Sequence, residues 1–359
     1  MTQILQKRAP ALNLRAGHLA RQLIEKEGLQ ASFVDIIPGA AGGPKGIGIQ
    51  GLDQAIFGDF LTQASQRRTL IGSSIGSWRF ASILAWGAKE GTERLSELYT
   101  NLYFHKKMSR HDVGNICRAM LIDMIQGKEQ QLVDHPDYHL AVISIKAQHI
   151  FQSDHSLPLL ASVAGIIGSN ALGRKHNRLF MQRVISQPEI GTQFKVEDDF
   201  VTHYQTLNST NVTPWLMASA SIPGVMAAIR DIPDAPQGSY RDGGLIDYHI
   251  DLPFESQGIV LYPHFSDRIT PGWFDKMFKK RQANPENQAR TLLLSPSQAY
   301  LQSLPLGRLP DRKDFTLKGL DQKQRIQMWN QCVAESQRLG DDFLEMVEKQ
   351  NLPQFIQDL

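Results

Sequence analysis

Three short stretches of this 359-residue chain bring together residue types that could do acyl-transfer chemistry. The first is Gly72-Ser73-Ser74-Ile75-Gly76, a G-x-S-x-G pattern. It suits a serine on a sharp strand-to-helix turn, its hydroxyl forced into a pocket and the crowding relieved by small residues two before and two after. The N–H of Ile75 would then help to hold a developing oxyanion. The second is Tyr240-Arg241-Asp242-Gly243-Gly244, an acid on a turn closed by two glycines. A serine nucleophile needs a base, and an aspartate beside the hydroxyl can take its proton with no histidine between. Taken alone, Asp-Gly is also an ordinary turn signal. The third is Ala41-Gly42-Gly43-Pro44-Lys45-Gly46, where residues without side chains let backbone N–H groups converge on one point. At a helix N-terminus such a cradle holds negative charge, either a phosphate or an oxyanion.

Other chemistries compete for these residues. Gly46-x-Gly48-x-x-Gly51 matches the dinucleotide fingerprint. That fingerprint needs its glycines directly after a strand and an acid at the end of the next strand. Here the strand ends at Pro38, and the next one runs into Gly72-Ser73 rather than into an acid. His249 and His264 follow Asp242 in the order a Ser-His-Asp triad would take. Alternation in Asp247-Tyr248-His249-Ile250-Asp251 would put both acids and the histidine on one strand face, as a metal site, a polar edge or support for Asp242. No metal and no cofactor are expected.

The elements that must position these groups can be read from periodicity. Residues 14–27 read as a helix with Leu19, Ala20, Leu23 and Ile24 on one face and Gly28 as its stop. Residues 33–38 and 69–71 read as buried strands, the second feeding Ser74 and a helix over 77–86. Residues 139–147, 179–186 and 258–262 add further strands. Strand, loop, helix, strand, sharp turn and helix in succession predict a parallel α/β sheet. After about residue 270 helices and polar loops are expected. Ile326, Trp329, Val333, Leu339, Phe343 and Val347 outline one long amphipathic helix.

Taken together, the order of the three motifs, with Ala218-Ser219-Ala220-Ser221-Ile222-Pro223-Gly224 before Asp242, resembles the patatin-like phospholipase family. The resemblance covers about residues 39–244. It implies a three-layer α/β/α fold with a mostly parallel sheet, and lipid acyl hydrolysis on a Ser-Asp dyad. It further implies Ser74 as nucleophile, Asp242 as base, and Gly42 and Gly43 as oxyanion donors beside Ile75. Lys45 takes the basic position of the loop, and Gly46, Gly72, Gly76, Gly243 and Gly244 fill the motif glycines. Where the family has a third leading glycine this chain has Ala41, which leaves open which N–H groups point inward. One domain is expected, with a catalytic core over about 30–265 and a helical C-terminal cap over about 270–359. An acyltransferase, or a nucleotide- or lipid-binding protein without hydrolysis, would use the same motifs.

A formal charge of +2 gives no sign of a nucleic-acid partner. Cys117 and Cys332 stand in no metal or redox spacing, which favours a reducing compartment. Residues 1–15 lack the apolar core of a secretory signal, and the most apolar stretch, 157–168, is about half the length of a spanning helix. A cytoplasmic location is expected, with peripheral membrane contact as an open option. That contact would run through a helix carrying Trp273, Phe274 and Phe278 on one side and Lys279 and Lys280 on the other. Lys106, Lys107, Arg174 and Lys175 read as ordinary solvated charges.

Overall fold

The computed structural model describes residues 9–105, 107–190 and 194–359; Lys106 and residues 1–8 lie outside the described residues. Its centre is a ten-stranded sheet. The strands are β1 (Leu12–Ala16), β2 (Val34–Gly39), β3 (Arg68–Ser73), β4 (Tyr138–Ala147), β5 (Met181–Gln187), β6 (Thr202–Thr206), β7 (Tyr240–Asp242), β8 (Ile259–Pro263), β9 (Thr291–Pro296) and β10 (Ile356–Asp358). They lie in the order β10-β1-β9-β8-β2-β3-β4-β5-β6, with β7 on the edge of β4. The run from β9 to β4 is parallel, while β1 meets β9, and β5 meets β4, antiparallel. The chain is therefore a mixed α/β protein with a large, mostly parallel sheet.

The central strands are buried on both faces, so they read as continuous apolar runs rather than alternating ones. Leu70, Leu140 and Val142 join the core on one face, while Ile71, Ala141 and Ile143 join the core on the other. Helix Ile75–Trp86 packs on the first face and buries eleven of its twelve residues. It is anchored by a buried ion pair in which Arg79 Nε donates to Asp53 Oδ2 at 2.8 Å. Beyond the end of β4, helix Ser156–Leu172 covers a separate core that includes Ile145, Phe151 and Met181.

Several expectations need correction. The first helix is His18–Glu27, because residues 12–16 are β1. The C-terminal region is more than a helical cap: Thr291–Pro296 is a fully buried strand inserted between β1 and β8. The single long helix is two, Gln322–Glu335 and Gln337–Glu348, meeting at Ser336. That break is used: Ser336 Oγ accepts the Gly51 N–H at 2.9 Å, which ties the C-terminal helices to the segment behind the glycine loop.

Candidate active site

The site is laid out by β4. Ser73, the last residue of β3, pairs with Ile143, and Asp242, the last residue of β7, pairs with the next residue, Ser144, on the same edge of β4. Two chain segments 168 positions apart thus end head to head on one strand. Ser74 turns out of β3 with φ 54° and ψ −124°, a conformation that costs a non-glycine residue roughly 1–3 kcal/mol. The turn brings its Oγ to 3.0 Å from Asp242 Oδ2, to which it donates. Gly76 is required for this approach, since a Cβ there would lie 1.8 Å from the Gly39 carbonyl oxygen at the end of β2. Gly243 is required likewise, since its Cβ would meet the Ile143 oxygen at 2.3 Å.

A brace that the sequence did not single out fixes the elbow. Ser219, the last residue of helix Val212–Ser219, accepts the Ser74 N–H at 2.8 Å and donates to the Ile143 carbonyl at 2.6 Å. Asp242 is tied in through its own N–H, which donates to Ser221 O at 3.1 Å. The small-residue run around 218–224 is therefore the floor on which Ser74 and Asp242 both rest. Its signal in sequence was the run itself; the role of each serine was invisible. Next to the acid, Arg241 is buried and donates to Asp154 Oδ1 at 2.8 Å, which anchors β7.

Asp242 is buried, and burial pushes its carboxyl up to about 6. The Gly244 N–H, which donates to Oδ1 at 2.7 Å, and the Ser74 hydroxyl pull it back down, as do the charges of Arg312 and Lys276. A carboxyl held there is poised near neutrality, the range in which a general base works best.

Two lobes of one depression meet at Ser74. The smaller, about 120 Å³, is lined by Gly42, Gly43, Asp242, Tyr248 and Trp273. The larger, about 470 Å³, is apolar and lined by Trp78, Tyr99, Leu102, Phe104, Met226 and Phe315. Gly43, Ser74, Ile222 and Arg312 belong to both. The question left by Ala41 has an answer: its N–H donates to the Tyr248 carbonyl at 2.8 Å and is spent. Gly42 and Gly43 line the pocket, and Ile75, first residue of its helix, has an N–H without an intrahelical acceptor. The Ser74 N–H is spent on Ser219. Lys45 stands back from the pocket, 3.5 Å from Asp311 Oδ2 and over the Phe265 ring. Arg312 takes the place at the pocket that its charge would suggest for Lys45. Nothing in its sequence context marks it.

The remaining candidates are placed elsewhere. Gly46, Gly48 and Gly51 are buried where Ile75, Leu309 and the Ser336–Gln337 backbone press against them, so they are packing glycines with no open cradle. The segment 247–251 is irregular rather than a strand, so its three polar residues share no face. Asp247 is forked by Arg183, whose Nε donates to Oδ2 at 2.6 Å. Asp251 accepts from Gln288 and the Asn284 N–H. His249 accepts the Thr270 N–H on Nδ1 at 3.0 Å, stacks on Tyr248 and meets His264 edge-on, outside both lobes. Burial holds it well below its usual range and takes His264 down to about 3. Among the described residues no three His, Cys, Asp or Glu side chains are grouped to hold a metal. Cys117 and Cys332 are buried free thiols. No protein-family model matches the chain, and no curated protein matches it.

The basic aromatic segment does not form the expected helix. Trp273–Met277 is a single tight turn, and Phe274 is buried with Leu245 and Ile246, so the aromatic rings do not form one outward face. Arg174, expected in solvent, is half-buried, with its guanidinium donating to Ile246 O at 2.8 Å and facing Asp247 and Asp275.

Proposed function

We propose that this chain is a serine carboxylic ester hydrolase of the patatin-like kind, acting on esters with an extended apolar acyl group. The observation that carries this reading is the 3.0 Å hydrogen bond from the strained Ser74 to the buried, near-neutral Asp242 at the junction of the two lobes. Asp242 accepts the hydroxyl proton as Ser74 Oγ adds to the ester carbonyl. The amides of Gly42, Gly43 and Ile75 receive the oxyanion, a contribution worth roughly two to three orders of magnitude per donor. The proton passes from Asp242 to the departing alcohol, leaving an acyl-serine. Water then gives its proton to Asp242 and attacks the acyl carbon; the bond to Ser74 Oγ breaks, the proton passes from Asp242 back to Ser74, and the acid is released. The apolar lobe, inside the roughly 300–1,000 Å³ range of small-molecule sites, takes the acyl chain.

Labelling with a fluorophosphonate probe tests the assignment. Wild type should take one equivalent; Ser74→Ala and Asp242→Asn should take none, and His249→Ala should label like wild type. A folded wild-type sample that takes no label would remove the hydrolase reading. Loss of labelling in His249→Ala would replace the dyad with a triad.

A further inference from the structure

Helix Ser156–Leu172 has no charged side chain in its seventeen residues. Leu159, Ser162, Ile166 and Asn170 hold it to the molecule. The opposite side is in solvent: Leu157 is 80% exposed, Leu160 67% and Leu172 83%, with Ala161, Ala164, Gly168 and Ala171 exposed between them. A helix at a water surface ordinarily carries its polar residues on that side. Here the water side is as apolar as the core side. Among the described residues no helix is long and apolar enough to cross a membrane, and this one, roughly 25 Å long at 1.5 Å per residue, is anchored along one face.

We propose that this outer face seats the protein on an anionic lipid bilayer, with the mouth of the pocket against the lipid. Two observations select that occupant. The first is charge. Lys175 and Arg178, on the turn that follows the helix, and Lys279 and Lys280, beyond the Trp273–Met277 turn packed against it, are all exposed. Asp198, Asp247 and Asp275 behind them are paired with Arg183, Arg174 or Arg281. An apolar stripe with a basic border matches acyl chains edged by anionic headgroups. A second copy of the chain docked by the same face would set these cations against their own counterparts, which is unfavourable. The second is continuity with the pocket: Val163 of this helix and Trp273 of the neighbouring turn line the smaller lobe with Ser74. Exposed Leu179 and Met277 extend the apolar surface. The membrane contact thus centres on the helix, and Trp273, Lys279 and Lys280 form one margin of it.

Vesicle flotation of the full chain decides the point. It would compare phosphatidylcholine vesicles with vesicles that also contain phosphatidylglycerol. Wild type should float with the anionic vesicles and weakly with the neutral ones. The double variant Leu157→Ser/Leu160→Ser, changed only at exposed positions, should bind about tenfold more weakly or worse while keeping its thermal midpoint. Lys279→Glu/Lys280→Glu should lose the preference for anionic vesicles. Ser74→Ala should float like wild type, which separates docking from the hydrolase reading. Failure of wild type to float, or undiminished flotation of the leucine variant, overturns the proposal. So does a leucine-dependent dimer that ignores vesicles, which would give the face to a second copy.

Discussion

Replacing Asp242 by asparagine should destroy catalysis and stabilise the fold at the same time. Burial takes this carboxyl from an ordinary 3.8 to about 6. The folded protein therefore holds the Asp242 proton more tightly than the unfolded chain does. Stability associated with that proton is complete below pH 3.8 and is lost as pH rises through about 6. At neutral pH the ionised carboxylate costs ~3 kcal/mol, at 1.36 kcal/mol for each pH unit of that displacement. Asparagine has the same shape and no charge. Its Oδ1 can still accept the Gly244 N–H, and its amide can donate to Ser74 Oγ. With an unfolding entropy of about 2.1 cal/mol/K per residue, ~3 kcal/mol in a chain of this length is a Tm gain of ~4 °C. Thermal unfolding at pH 8 should reveal that gain, and the two proteins should converge toward pH 4. Turnover of a soluble ester should fall by roughly two to four orders of magnitude in the same variant. A variant less stable than wild type at pH 8, or a difference that does not change with pH, would refute the argument.

Three further outcomes are expected. The kcat/KM of wild type should climb as pH rises through about 6 and then level, because Asp242 must be ionised to act; Arg312→Gln, which removes a cation that favours the carboxylate, should move that midpoint upward. A midpoint unmoved by Arg312→Gln would detach that residue from the site. Ser219→Ala strips the acceptor from the buried Ser74 N–H, so denaturant unfolding should register a loss of about 1–3 kcal/mol and fluorophosphonate labelling should slow without vanishing. Gly76→Ala forces a methyl into the Gly39 carbonyl, and its cost of about 3 kcal/mol or more should appear in urea denaturation or as insoluble protein.

What could be read in the sequence was local. Ser74 announces itself because an elbow demands small residues at fixed offsets, and the buried strands because apolar runs of that length fit a doubly covered sheet. Asp242 was found through motif order, since a lone Asp-Gly says nothing of its neighbours. The long-range placements were hidden. That β4 sets Ser73 and Asp242 on successive residues of one edge is a property of register, which no spacing encodes. Arg312 reaches the pocket from a segment with no motif. Thr291–Pro296 was lost among polar loops, although its six residues are all buried. The 247–251 segment failed differently: its period of two fits a strand, but each polar side chain found its own partner, and that overrode the pattern.

The insertion of β9 between β1 and β8 has a consequence for how the protein is made. β1 is synthesised early, yet its neighbours in the sheet are β9 and β10, so residues 12–16 must wait for residues 292–296 and 356–358. At a typical translation rate of about 5–20 residues per second, that wait lasts on the order of 15–60 s. During it β2, β3 and β4 can already align, and once β8 has been made its edge stands open until β9 follows, roughly 2–7 s later at the same rate. An unpaired, fully apolar parallel strand is a template for association between chains. The nascent protein thus passes through an interval in which the candidate Ser74–Asp242 site can assemble before its sheet is closed, and a chaperone acting on it would have that β8 edge as its target.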